Sequence, residues 1–393
     1  MSCKNYKLSE VVVLEDALRE PLSAKQRSKR KGIYPYYGAQ GIVDYLDDYT
    51  FQGDRLLVAE DGENLRSNKQ PIANWATGKF RVNNHAHVLC ESALCNLKYL
   101  HYLLNELDLS AYITGSTQPK LSQKSLLSIE IHLPDRELQD KVVAFMRPIE
   151  SEITCLTQAN GHLLEIGQSI FDEKLKLCDF TEGTPGSLGD IAEGNPRRQL
   201  SKGTIAKYID MSSLSTTGPY PNGWIQKAYN GGMRFTNGDT LLARITPCLE
   251  NSKASYVNYL DENEVAFGST EYIVLTGKDE IPNEIFYFLV RNSNFIEYMV
   301  GHMNGSSGRQ RVSVKDALSY PIHIPDDKII KTIGHRLSML LNAVNMNSKQ
   351  IRKLSQLRDT LLPKLMSGEI DLSKVELPMP SARTAPTNGR LAD

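Results

Sequence analysis

The sequence predicts a mixed α/β (α+β) chain with an internal duplication. Two similar globular domains are joined by two long antiparallel, coiled-coil-like helices, with pseudo-twofold symmetry between the halves. Three observations carry this. GSTQPKLSQKSLLSIEIHLPD, residues 115–135, returns as GSSGRQRVSVKDALSYPIHIPD at residues 305–326. Each copy opens on a small-residue loop and closes on an Ile-His-aliphatic-Pro-Asp strand end. After each copy, apolar residues recur at steps of about three and four, the mark of an amphipathic helix. A chain of 393 residues is also too long for one ordinary core. The repeat is far longer than a solenoid unit, so it reads as a duplicated domain.

The elements follow in order. Residues 1–134 form the first globular domain. GIYPYYGAQGIVDYL, DRLLVAED and HAHVLC are short strands between Gly and Asp turns, and LKYLHYLLNEL is a helix. Residues 135–180 form the first long helix, with Leu138, Val142, Phe145, Ile149, Ile153, Leu156, Leu163, Ile166 and Ile170 as its seam. TEGTPGS, 181–187, is a linker. Residues 188–325 form the second domain, with KYIDMSSL, GDTLLARI and STEYIVL as strands and EIFYFLVRNSNFIEYM as helix. Gly53 and Gly238 begin equivalent turns into buried strands. Residues 326–376 form the second long helix, with Ile330, Ile333, Leu337, Leu340, Val344, Ile351, Leu354, Leu361 and Leu365 in its seam. Asp135 and Asp326 are the expected N-caps. Residues 377–393 lack periodicity and read as a disordered tail.

At 1.5 Å per residue each helix is roughly 55–60 Å long, more than a compact domain needs, so the two pack on each other. Asn160 and Asn347 fall in seam positions, where a polar residue fixes register. Gly161 and Gly167 allow the other reading of Asn160, as a local break.

Composition constrains class more than function. Net charge is −1, which neither demands nor excludes nucleic acid. No apolar run reaches the 18 or so residues of a membrane helix. MSCKNYKLSE lacks a secretory h-region. Six scattered cysteines fit a reducing cytoplasm. There is no S-adenosylmethionine Gly-rich loop with an Asn/Asp-Pro-Pro-aromatic tetrapeptide. Walker A, GxSxG and HExxH are also missing, so a non-catalytic role is expected. His85, His87, Cys90 and Cys95 match no common zinc spacing and read as strand and turn residues.

Two basic stretches stand out. KQRSKRK supplies Lys25, Arg27, Lys29, Arg30 and Lys31, with Tyr36 and Tyr37 close behind, and suits contacts to phosphates. The bland reading is a solvated loop. GSSGRQR places Ser306, Ser307, Arg309, Gln310 and Arg311 on a flexible loop, where Arg can read guanine and Gln adenine. Its counterpart carries Ser116, Thr117, Gln118 and Lys120; both loops also join domain to helix. Arg197 and Arg198 are weaker candidates, since surface charge is common. Leu164, Phe171, Leu341 and Leu362 lie beside the helix seams and are the candidates for docking partner subunits.

Two diverged modules joined by retained helices suit a bipartite target, and DNA is the natural one. The motifs then add up. GIYPYYGAQGIVDYLDDYTF (32–51), LLVAEDGEN (56–64), VNNHAHVL (82–89), GSTQPKLSQKSLLSIEIHLP (115–134), LGDIAEGNPR (188–197), KYIDMSSL (207–214) and LRDTLLPKLMSGEIDL (357–372) together resemble the specificity subunit of type I restriction–modification systems. The resemblance covers all but the tail. It implies two target-recognition domains, each reading half of a split asymmetric site in double-stranded DNA. It implies helices that space the domains and dock two methyltransferase subunits, joined by restriction translocase/nuclease subunits. Adenine methylation follows from the same resemblance. S-adenosylmethionine, ATP and Mg would belong to those partners, with no cofactor or metal on this chain, no membrane and a cytoplasmic location. FDEKLKLCDF is less family-like than LRDTLLPKL, through drift or a weakened docking surface. The rival readings are a coiled-coil scaffold without sequence-specific DNA binding, and a DNA-modifying enzyme with unrecognised motifs. An orphan methylation system without a nuclease is a variant within the family.

Overall fold

A computed structural model describes residues 3–67, 70–115, 117–175, 183–306, 308–373 and 375. Ser116, Ser307, residues 176–182 and the tail 377–393 lie outside the described residues. The chain forms two compact units, 1–150 with 356–393, and 151–355. The boundaries fall inside the long helices because each helix end is buried in a globular core.

The units repeat one plan, strand for strand. In unit 1 a four-stranded sheet runs Val13–Leu14, Ala86–Cys90, Arg55–Ala59, Ala73–Ala76. Its counterpart in unit 2 runs Ala192–Gly194, Tyr272–Gly277, Thr240–Ala243, Ala254–Tyr256. A second sheet in unit 1 runs Gly41–Leu46, Lys31–Gly38, Lys79–Val82, Phe51–Gln52. In unit 2 the order is Ile225–Ala228, Ile205–Ile209, Ala266–Gly268, Met233–Phe235. In both, the middle pair is parallel: Tyr36 faces Arg81, and Tyr208 faces Phe267.

Strand geometry divides the buried side chains between two cores. Successive strand side chains point to opposite faces. On Arg55–Ala59, Leu56 and Val58 therefore join the core that meets the long helices, while Leu57 joins the core between the sheets. Leu242 and Leu241 divide in the same way. Each such fully buried side chain contributes about 1.5–3 kcal/mol. Gly53 and Gly238 start these strands at φ +94° and +95°, a backbone region glycine enters without a Cβ clash.

Each unit closes with a two-stranded ribbon, Lys4–Lys7 on Glu130–Leu133 and Thr184–Ser187 on Pro321–Ile324. The ribbon hands the chain to a long helix, Arg136–Ile170 or Asp327–Ser367. Asp135 caps the first, its carboxylate accepting from the Leu138 N–H at 2.9 Å. At the second, the Asp326 backbone carbonyl accepts instead, from Ile329 and Ile330. Gly161 and Gly167 do not break the first helix, which ends in a π-helical turn over Phe171–Leu175. Within unit 2 the helices run antiparallel, with Asn347 bonded to Asn160 at 2.9 Å and Gln350 to Glu152 at 3.4 Å. No described helix is long and apolar enough to cross a membrane.

The helix faces differ from the sequence pattern in one respect. Much of the apolar face is taken up by the domain cores rather than by a helix–helix seam. Leu138, Val142 and Met146 are buried with Leu362 and Leu365 in the unit 1 core. Ile330, Ile333, Leu337 and Leu341 are buried with Phe171 in the unit 2 core. The residues proposed for docking are therefore spent within the chain: Phe171, Leu341 and Leu362 are buried, and Leu164 packs against the unit 2 core. Ile166, expected in the seam, points out instead, as do Met339 and Met346. A helical period of 3.6 turns a 3.5-residue pattern steadily off its seam, and the domain cores cover the flank that the drift exposes.

Candidate functional site

Both units build the same junction, at the point where a repeated loop meets the central sheet. In unit 1 the loop after Tyr112 returns on itself at Thr114 and Lys120, and Lys120 bridges to Asp61. The Leu121 N–H donates to the Glu60 carbonyl at 2.8 Å, and the Glu60 N–H donates to the His85 carbonyl at 2.9 Å. In unit 2, Asn304 and Arg311 close the loop and Arg311 bridges to Ile245. The Val312 N–H donates to the Arg244 carbonyl at 3.1 Å, and the Arg244 N–H to the Glu271 carbonyl at 3.0 Å. Lys120 and Arg311 are thus equivalent, as are Glu60 and Arg244, and His85 and Glu271.

At each junction a carboxylate sits beneath the loop cation, but it comes from a different position. Glu60 pairs with Lys120 at 3.4 Å and Arg19 at 3.1 Å. Glu271 pairs with Arg311 at 2.9 Å and Arg244 at 3.2 Å. The hydrogen bond from Arg311, then that from Arg244, holds the Glu271 carboxyl below its ordinary range. His85 turns to Asp61 at 2.7 Å, and buried His87 to Asp16 at 2.6 Å.

Asp16, Glu60 and His87 bring three possible ligand atoms within 4.8 Å of one another. The Arg19 guanidinium already pairs with both carboxylates, at 3.2 and 3.1 Å, and His87 Nε2 faces the Leu121 carbonyl at 2.9 Å. The cluster has its positive charge and its hydrogen bonds from the protein, so it reads as an ion network tying loop to sheet. His85, Cys90 and Cys95 take no part in it beyond the His85–Asp61 pair.

The KQRSKRK cations divide into two groups. Ser23 and Gln26 cap a single helical turn, Ala24–Arg27. Arg27 bonds Asp44 at 3.1 Å and the Leu22 carbonyl at 2.8 Å, over the Tyr36 ring. Arg30 pairs with Asp47 at 3.1 Å and Asp48 at 2.5 Å, and Lys31 with Asp44 at 2.6 Å. The Lys31 hydrogen bond is the main reason the Asp44 carboxyl lies below its usual range. Lys25 and Lys29 are exposed, with no ion pair among the described residues. The hairpin pairing that sets Tyr36 opposite Asp44 brings these acids back onto the cations. Tyr36 has no exposed surface, and its hydroxyl accepts from the Leu22 N–H at 2.8 Å, so it is a core residue. Tyr37 is half-buried, edge-on to Phe80.

In the loops, Thr117, Gln118, Ser306 and Arg309 are exposed and Gln310 is half-buried. Lys120 and Arg311 are tied as above. Arg197 is exposed without an ion pair among the described residues. Arg198 instead supports a buried carboxylate, bonding Asp239 at 2.7 Å. Burial raises the Asp239 carboxyl above its ordinary range, against the pull of Arg198.

The sequence pattern puts His85 and Ser269–Glu271 at the starts of strands, whereas the strands begin at Ala86 and Tyr272 and leave Asn83–His85 and Ser269–Glu271 as sheet-to-sheet loops at the junctions. The signal was present: in VNNHAHVL and GSTEYIVL a short polar run separates two buried strands.

The comparisons agree with this duplicated plan. The family model for the type I restriction modification DNA specificity domain matches residues 2–164 and again 184–356. A Haemophilus influenzae protein described as a type I restriction enzyme specificity subunit is 29% identical over 231 residues, 56% of this chain and 58% of that relative. The MjaIX specificity subunit of Methanocaldococcus jannaschii is 22% identical over 90% of both chains. The crystal structure of a type I restriction-modification S subunit from M. genitalium shares the fold, at a TM-score of 0.58 and 14% identity, over 93% of this chain and 96% of that one. With one family match on each repeat and both repeats built alike, the chain belongs to the type I restriction modification DNA specificity domain family, which it carries twice.

Proposed function

We propose that this chain is the sequence-reading, non-catalytic subunit of a type I restriction–modification complex. The observation that carries the reading is the double match: two specificity domains in one chain, each with a basic loop at the same junction. The target-recognition domains are residues 1–134 and 188–325, each taking one half of a split asymmetric site. Lys25, Lys29, Arg197 and Arg309 are exposed cations for phosphates, which supply salt-sensitive affinity. Thr117, Gln118, Ser306 and Gln310 approach base edges.

Chemistry belongs to partners. Two methyltransferase subunits carry S-adenosylmethionine, and a translocase/nuclease carries ATP and Mg. Ile166, Ile329, Met339 and Met346 are outward apolar groups of the long helices in unit 2. Met339 and Met346, seven residues apart, share one helix face and suit a partner helix. The complex works in the cytoplasm.

The test is co-expression with a type I methyltransferase subunit that forms a complex with the chain, followed by mapping of methylated adenines. A split asymmetric motif that vanishes when this chain is deleted supports the reading. Methylation that persists unchanged without the chain, with an active methyltransferase, refutes it.

A further inference from the structure

The second sheet of unit 2 carries an open pocket of about 310 Å³, lined by Tyr208, Lys227, Asn230, Gly232, Ser269 and Thr270 among others. We propose that this pocket reads an adenine-bearing base pair, with Asn230 as the base-reading side chain. The inference rests on the function proposed above and assigns part of the readout of one half-site to specific residues.

The backbone of the pocket is bare. A Cβ on Gly232 would lie 2.1 Å from the Gly268 carbonyl oxygen, and one on Gly268 2.5 Å from that of Ile209. Glycine is needed there for the chain to close, and the same lack of side chains lets the edge of a groove come near. Asn230 and Thr270 are exposed at the rim. Neither side chain has a hydrogen-bond partner among the described residues, so their polar groups are free for a ligand. Lys227 sits over the Tyr208 ring at 4.3 Å and Arg234 over Tyr229 at 5.8 Å, which keeps two cations beside the opening.

The pocket adjoins the junction. Ser269 and Thr270 line it, and the next residue, Glu271, is the carboxylate that clamps Arg244 and Arg311. Those two guanidinium groups are committed to Glu271 and are not free to read guanine. The free bidentate group in the pocket is the Asn230 amide, whose match is the N6/N7 edge of adenine.

The same place in unit 1 is closed. Tyr36 and Arg81 stand where unit 2 has Tyr208 and Phe267. Arg81 is 2% exposed and bonded to Glu20 and Asp48, and Arg27 covers Tyr36. The connection into the sheet, Glu15–Arg30, folds over this site, whereas the shorter connection of unit 2, Asn195–Thr204, leaves it open. The pocket is therefore not a by-product of the shared fold.

The test uses the full chain with its methyltransferase. Methylation maps and binding to duplexes substituted one base pair at a time are compared for wild type, Asn230→Ala and Asn230→Asp. Asn230→Ala is expected to lose discrimination at one base pair of one half-site, roughly ten- to hundredfold, with the other half unchanged. Asn230→Asp should move the preference at that pair from adenine toward cytosine, whose N4 amine donates to a carboxylate. Lys227→Ala should weaken binding to all duplexes alike and leave the motif intact. A motif unchanged in both Asn230 variants, yet lost on deleting the chain, overturns this inference alone. A motif that survives deletion of the chain overturns the proposed function with it.

Discussion

Asn160 and Asn347 meet across the helix pair: the Asn347 amide donates to the Asn160 side-chain oxygen at 2.9 Å, and Asn160 donates to Ser348 Oγ at 3.3 Å. A sliding register would part these amides and strand their polar atoms against apolar neighbours. Asn347→Leu alone should lower stability by about 1 kcal/mol. Adding Asn160→Leu should recover it, because both partners are then gone. Urea unfolding of the four members of the double-mutant cycle measures the coupling. A coupling of zero would remove the pair as a register device.

Two glycines of the first helix should respond in opposite directions to Ala. At Gly161 a new Cβ meets nothing within 4 Å, so Gly161→Ala should gain about 0.5–1 kcal/mol through helix propensity. At Gly167 the Cβ would lie 2.5 Å from the Phe288 ring, so Gly167→Ala should destabilise unit 2 by overpacking, about 1–3 kcal/mol. Thermal melts of the two variants give the comparison, and equal shifts would contradict it.

Arg198 is expected to matter for stability first. Its partner Asp239 has a raised carboxyl pKa because burial disfavours the charged form. The folded state thus holds the proton to higher pH than the unfolded chain does. The cost is absent below the unfolded pKa and grows as pH rises through the folded value. Arg198→Ala removes the compensating cation and should cost about 3 kcal/mol at neutral pH. The deficit should shrink on acidification toward about pH 4. Denaturant midpoints against pH test both the size and the sign.

Lys25 and Lys29 are predicted to carry the salt-dependent contacts of the first basic stretch, since the other three cations there are neutralised within the hairpin. Replacing both with Ala should reduce the slope of log affinity against log salt by about 2, with no change in the recognised motif. Lys31→Ala should change the slope much less, because its charge faces Asp44 at 2.6 Å. A larger effect at Lys31 than at the pair would reverse the assignment.

Glu271 links the repeated loop of unit 2 to pH. Its carboxyl is lowered by Arg311 and then Arg244, so its stabilising charge is present above the unfolded pKa and is lost as pH falls through the folded one. The Gly305–Arg311 loop should therefore loosen on acidification, read as lower protection of the Arg311 and Val312 amides relative to their intrinsic exchange rate at each pH. In Glu271→Gln that protection should be low at every pH.

The amino-acid sequence by itself determined the duplication, the order of elements and the family. These rest on local signals: the short apolar runs LLVA and TLLA, glycine at the turns Gly53 and Gly238, and Pro-Asp before each helix. The seam positions of Asn160 and Asn347 were legible for the same reason, since each polar residue interrupts an apolar row; that the two amides meet was decided by the fold. What only the tertiary structure decided was which groups remain free. Arg27, Arg30 and Lys31 look like a bare basic patch until hairpin pairing returns Asp44, Asp47 and Asp48 to them. Leu341 and Leu362 look available until the domain cores cover the outer flank of the helices. Asn230 lies next to nothing informative in the chain, and becomes part of a pocket when Ala266–Gly268 is set beside Ile205–Ile209. Charge compensation, burial and concavity all depend on contacts between residues distant in sequence, and no local pattern encodes them.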